Sequence, residues 1–254
     1  MSTRADAAWD YSALAPHYEL RAPYADVAVH ALLDAAGVPP KATVVDIGAG
    51  TGRLTRLLAA RGHPVMAVEP CAPMRAIGEA LGAVGPVRWH AADGCRTGLP
   101  QGCAQLVGYG SSFNVLPSAA AIAEALRLLG GAGHVLLLWN HRDLADPLQA
   151  RVEALLRRHA PAYQGGRRRA DPLPDWHAAG VLREAHAQVA RIVVRQPLAD
   201  FVAGFRAHGT LLRCLDGDLA PVLAGLHAEL AGACADGSIE VPFDTRAWCL
   251  KVRG

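Results

Sequence analysis

The sequence predicts an α/β fold: a parallel sheet with helices on both faces. Three observations carry that expectation. Short β-branched runs alternate with helical patterns at a steady rhythm between residues 43 and 139. Such alternation implies right-handed crossovers between neighbouring parallel strands. Hydrophobic residues make up 52% of the 254, enough to bury a large core and to argue against global disorder.

The elements follow in order. Tyr11, Tyr18 and Tyr24, interleaved with His17, Glu19 and Arg21, form a helical lead-in. A helix over Val27–Ala36 ends at Gly37, and Pro39-Pro40 breaks the chain before the first strand. Strands are expected at Thr43–Ile47, Pro64–Val68, Val87–His90, Leu106–Tyr109 and His134–Trp139. Helices fall between them at Arg53–Ala60 and Met74–Leu81, with a third starting at Ser118 as N-cap and ending at Gly130-Gly131. Residues 141–185 differ: they are Arg-rich and carry Pro147, Pro161, Pro172 and Pro174, so one amphipathic helix at Ala150–Arg158 is expected in a loop. Beyond them, Gln188–Arg195 and Ile239–Val252 read as strands, and Leu198–Ala207 and Leu219–Ala231 as helices.

Charge and composition narrow the function. A net charge of +2 gives no general attraction to nucleic acid or anionic membrane. Arg167-Arg168-Arg169, the one basic run, follows Gly165-Gly166 and reads as a solvated loop. No apolar run approaches the ~20 residues of a membrane span, and the amino terminus lacks an apolar signal segment. Six cysteines without a Cys-x-x-Cys pair read as reduced thiols in a cytoplasmic setting. A small-molecule partner is expected, with neither nucleic acid nor membrane, on a monomer or homodimer.

The informative segment is Asp46-Ile47-Gly48-Ala49-Gly50-Thr51-Gly52-Arg53, between the first strand and the first helix, at the sheet edge where such folds bind ligands. A dinucleotide fingerprint would need glycine where Arg53 stands. Asp46 at the strand tip would also repel a pyrophosphate held at the helix amino terminus. S-adenosyl-L-methionine has no phosphate and carries an ammonium and a sulfonium, which a carboxylate suits. Glu69 ends the second strand 21 residues after Gly48, where it can accept from both ribose hydroxyls. Asp93, after the third strand, can accept from the adenine amino group.

At these residues the sequence resembles the class I S-adenosylmethionine-dependent methyltransferases, in the small-molecule branch called methyltransferase type 11 or ubiquinone-biosynthesis-like. Asp46 to Gly52 resembles the first motif of that family, Ala67-Val68-Glu69-Pro70 its acidic second-strand end, and Ala92-Asp93-Gly94 its adenine-contact turn. Ser111-Ser112-Phe113-Asn114 resembles the segment after strand four, and Leu128 to Gly133 the turn before strand five. The tail Val241-Pro242-Phe243 to Arg246-Ala247-Trp248 is similar to trans-aconitate-methyltransferase-like members. The likeness covers about 38–140. It implies a Rossmann-like, seven-stranded, mostly parallel sheet with an antiparallel last strand, plus a helical lid or insert. In that reading residues 1–37 are an amino-terminal lid, 38–140 the cofactor-binding core, and 141–254 a substrate-covering insert with the last two strands. Gln105 departs from the usual aspartate at the start of strand four and puts local geometry in doubt.

The resemblance implies cofactor contacts from Asp46, Gly48, Ala49, Gly50, Gly52, Glu69, Pro70, Ala92, Asp93, Gly94 and Ser111. Methyl transfer from a sulfonium is an in-line displacement that alignment and desolvation accelerate. A neutral acceptor also has to lose a proton, and histidine is the natural base near neutral pH. His141, after strand five, His17 in the lead-in and Asn114 after strand four are the catalytic candidates. Tyr18, Phe113, Asn140 and His208 are the substrate candidates. The Asn/Asp-Pro-Pro-Tyr/Phe run of amino-group methylation is absent after strand four, and Pro70-Cys71 lies in the wrong place for cytosine-5 methylation. Metal-assisted catechol chemistry wants an acid where Ser111 and Ser112 stand, so no metal is expected. Two rivals remain: a cofactor-binding protein that does not methylate, acting as a cyclase or regulator, and an RNA or protein methyltransferase.

Overall fold

A computed structural model describes residues 11–163, 171–215, 218–234 and 236–253. The basic run at 167–169 lies outside the described residues. Seven strands form one sheet in the order β3-β2-β1-β4-β5-β7-β6. They are β1 (Val44–Ile47), β2 (Val65–Val68), β3 (Val87–His90), β4 (Leu106–Gly110), β5 (Ala132–Arg142), β6 (Leu182–Pro197) and β7 (Ser238–Arg253). The first five are parallel; β7 runs antiparallel between β5 and β6. The expected sheet, with its antiparallel last strand, is therefore present.

Side-chain alternation along the strands builds two cores. Val45, Ile47, Val107, Tyr109, Val135, Leu137 and Trp139 face α4 (Ser118–Leu128). Val44, Leu106, Leu136 and Leu138 face α1 (Asp26–Ala35) and α2 (Arg53–Ala60). α1 belongs to that core through Val29, Leu32 and Leu33, and the 3₁₀ turn Ala15–Leu20 precedes it. α3 (Ala72–Leu81) lies between β2 and β3.

Three details differ from expectation. Pro117, not Ser118, occupies the N-cap of α4, with no side-chain cap; Ser118 is the first helical residue. β6 begins at Leu182, because pairing with β7 extends it through residues of low intrinsic strand preference. The Pro-rich stretch holds α5 (Pro147–His159) and also α6 (Leu173–Ala178). Proline there starts helices rather than breaking them, since the first turn has no use for its missing N–H.

α5, α7 (Leu198–Ala203), α8 (Gly209–Cys214) and α9 (Ala220–Ala231) meet Ile239 and Val241 in a third apolar cluster. Gln105 fits its site: its Oε1 accepts from the Thr43 amide at 2.6 Å, fixing the entry to β1. No helix among the described residues is long and apolar enough to cross a membrane.

Candidate active site

The site lies at the carboxyl ends of β1, β4 and β5. Gly48 opens the loop after β1 with φ +66°, and a Cβ there would stand 2.6 Å from Ser112 Cβ. Only glycine lets β1 turn so close to the segment after β4. Ser112 completes the junction by donating to the Ile47 carbonyl. Ser111, with φ +62°, is held in a backbone region that non-glycine residues rarely occupy, its amide bonded to Leu138 O at 2.8 Å.

Two carboxylates frame the loop. Asp46 is fully buried; its Oδ2 accepts from Thr55 Oγ1 at 2.6 Å, while its Oδ1 has no partner among the described residues. Burial, reinforced by the nearby Glu69 charge, pushes its carboxyl up to about 7. Glu69 accepts from the amides of Gly50 and Cys71, both at 2.8 Å, so one side chain pins the loop to the end of β2. Burial raises the Glu69 carboxyl too, against those two bonds. Each of its oxygens keeps a further lone pair for a ligand hydroxyl.

The lead-in closes over this loop. Glu19 accepts from Thr51 Oγ1 and pairs with Arg56 at 3.1 Å, and Arg53 donates to the Glu19 carbonyl at 2.7 Å. Tyr18 is brought over Gly50. Asn140 ties down the following segment: its amide nitrogen donates to the carbonyls of Ala22 and Pro23, and its oxygen accepts from Thr245 at 2.6 Å.

Two cavities meet beneath this cover. The inner one lies against the loop and is lined by Asp46, Gly48, Ala49, Gly50 and Thr51. The outer one holds about 1080 Å³ of atom-free space, counted out through its open mouth. Ser111, Asn140, His141, Arg142, Tyr163 and His208 are among its walls. Tyr18, Tyr24 and Arg53 line both cavities. Tyr24 bonds Ser111 Oγ at 3.0 Å, and burial pushes its phenol up to about 12, so it stays neutral. His208 accepts the Leu211 amide on Nδ1, which leaves Nε2 to donate to Tyr163 Oη at 3.2 Å in the neutral ring. In that tautomer His208 orients Tyr163 and is not a base.

The expected residues therefore divide into three sets. Asp46, Gly48, Ala49, Gly50, Tyr18, Ser111, Asn140, His141 and His208 converge on the two cavities. Gly52 caps α2 with φ +84°, and Glu69 braces the loop from behind. Pro70 and Asp93 are exposed, Asp93 accepting from the Cys95 amide at 2.8 Å, and with Ala92 and buried Gly94 they line neither cavity. His17 and Asn114 also line neither, and Phe113 packs in the core, its ring 5.8 Å from Trp176 on α6. Sequence reasoning missed Glu19, Arg21, Tyr24, Arg53, Arg142 and Tyr163 as site residues. The tyrosine-rich lead-in was a signal for Tyr24; nothing local marked Tyr163.

Residues 45–137 match a family model described as a methyltransferase domain. An uncharacterized methyltransferase of Mycobacterium tuberculosis is 30% identical over 147 residues, 56% of this chain and 56% of that protein. The chain thus matches little more than half the length of this curated relative. Among solved structures, one from Anaeromyxobacter dehalogenans, provisionally named a type II methyltransferase, is similar with a TM-score of 0.62 at 19% identity, covering 92% of this chain and 97% of that one. Another, from Bacillus halodurans and provisionally named a methyltransferase, has a TM-score of 0.54 at 14% identity, covering 88% and 97%. These structures share the fold.

Proposed function

We propose that the chain, whose residues 45–137 match a methyltransferase-domain model, transfers a methyl group from S-adenosylmethionine to a small molecule held in the outer cavity. The observation that carries this reading is the meeting of the two cavities at Tyr18, Tyr24 and Arg53, with buried Asp46, whose Oδ1 has no partner among the described residues, in the lining of the inner one. A buried carboxylate oxygen without a partner is costly unless a cation or donor meets it. The ammonium of the cofactor answers that need, and a dinucleotide phosphate does not.

S-adenosylmethionine supplies an electrophilic methyl group on a sulfonium. The chain supplies the rest. Gly48 to Thr51 offer backbone to the cofactor, and Glu69 its remaining lone pairs to the ribose. Tyr18 and the Glu19 clasp cover the junction and exclude water. His141, in the wall of the outer cavity, orients the acceptor or takes its proton. The acceptor is a partly apolar metabolite of specialised metabolism, and the setting is cytoplasmic, in keeping with six free cysteines.

Calorimetry with S-adenosylhomocysteine tests the first half of the reading, and methyl-labelled cofactor with a metabolite panel tests the second. Tight binding and label in a small molecule are expected. No affinity for that product, beside tight binding of a nicotinamide nucleotide, overturns it. Full turnover of His141→Ala across pH would remove His141 from its role.

A further inference from the structure

The charge lining the outer cavity is lopsided. Arg21, Arg53 and Arg142 reach its walls, and no aspartate or glutamate is among its described lining residues. Two of the three guanidiniums lie against a carboxylate, shared in each case with a second arginine, Arg56 or Arg157. Arg53 has Glu19 at 3.5 Å, and Arg142 has Glu153 at 2.8 Å with Gln149 beside it at 3.2 Å. Arg21 has no ion pair among the described residues, and its Nη1 is buried without a hydrogen-bond partner. The Tyr18 ring, 4.9 Å from the guanidinium carbon, holds it in place. A buried N–H of a guanidinium left unpaired is costly, and an oxyanion from a ligand relieves that cost. The inner cavity is lined by Arg53 but by neither Arg21 nor Arg142, so this charge stands on the acceptor side. Tyr163, Phe201, Phe205 and Phe243 give the same wall an aromatic stretch.

We propose that the acceptor is an organic acid with an apolar or aromatic body, its carboxylate held by Arg21. Arg21, the guanidinium of this wall with no carboxylate beside it among the described residues, meets the negative charge, and the phenylalanines receive the body. This rests on the function proposed above, since it names the substrate class of that same site.

The test titrates matched pairs of acid and amide (benzoate and benzamide, cinnamate and cinnamamide, 4-hydroxybenzoate and its amide) into the full chain saturated with S-adenosylhomocysteine. In at least one pair the acid is expected to bind at least about tenfold more tightly than the amide. Arg21→Gln should erase that preference and Arg21→Lys should keep part of it, both leaving affinity for S-adenosylhomocysteine within about threefold. Equal affinity for acid and amide in every pair, absence of binding included, overturns the proposal. So does an Arg21→Gln chain that loses S-adenosylhomocysteine while keeping its acid preference, for the guanidinium then serves the cofactor. A wild-type chain that ignores S-adenosylhomocysteine yet prefers acids defeats the methyl-transfer reading and upholds the anion site.

Discussion

The two halves of the sheet are built by different means. Strands β1 to β4 are four or five residues long and parallel, and they hand the inner cavity mostly backbone: a glycine loop fastened by one glutamate. β6 and β7 are sixteen residues each, antiparallel, and joined to helices with an apolar cluster of their own. That half hands the outer cavity side chains: Tyr163, Phe205, His208 and Phe243. A backbone-built site tolerates little change, because its geometry is the turn itself. A side-chain-built site can be rewritten residue by residue while the fold stands. The match to the methyltransferase-domain model, over residues 45–137, ends before β6 and β7 begin.

The comparison can be broken most forcefully from the second half. Glu153, 5% exposed, joins Arg142 under the outer cavity to Arg157 at 3.2 Å. Glu153→Ala strands Arg142, and a loss of about 3–5 kcal/mol is expected, read as a fall of roughly 10 °C in Tm. Affinity for S-adenosylhomocysteine should stay nearly unchanged in the protein that remains folded; a parallel collapse would mean the halves are not separable.

Asp46→Asn strikes the first half. Affinity for S-adenosylhomocysteine should drop by about 10- to 100-fold at pH 8, as expected for losing one charge-assisted contact. The stability sign is opposite. The folded Asp46 carboxyl lies above its ordinary value of 3.8, at about 7, so its favourable contribution is full below that ordinary value and is lost as pH rises from there through about 7. The ligand-free Asn variant should therefore melt higher than wild type at pH 8, and the gap should shrink as pH falls from 7 towards 4. The same titration makes wild-type affinity for S-adenosylhomocysteine climb from pH 6 to pH 8, by up to about tenfold, with protons released on binding below pH 7. A flat profile would separate Asp46 from the ligand.

The smallest effect belongs to the clasp. Glu19→Gln weakens its bonds to Thr51 and Arg56, both partly solvated, and about 1 kcal/mol or less of stability is expected to go. Its signature is faster release of S-adenosylhomocysteine in stopped flow, with the association rate little changed.

Legibility followed the same division. α2 was readable residue for residue, Arg53 to Ala60, because the glycine before it and the apolar spacing within it are local signals. Asp46 and the glycine loop were readable because strand, turn and helix are contiguous. Phe113 was read toward the substrate from its place after β4, but Trp176, on a helix hidden behind two prolines, claims its ring for the core. Tyr163, Arg21 and Arg142 come from three distant segments and meet only when the fold is complete. His208 was visible as a histidine, but its tautomer depends on the amide of Leu211.

The placement of β7 has a consequence for synthesis. The strand that joins β5 to β6 is made after both of them, and it bonds to each along nearly its full length. On the ribosome, β5 therefore waits with one open edge, and β6 has no sheet to join, until residue 253 has emerged. At about 5–20 residues per second that interval lasts several seconds. During it the nascent chain shows unpaired backbone to any chaperone, or to any neighbouring strand, within reach.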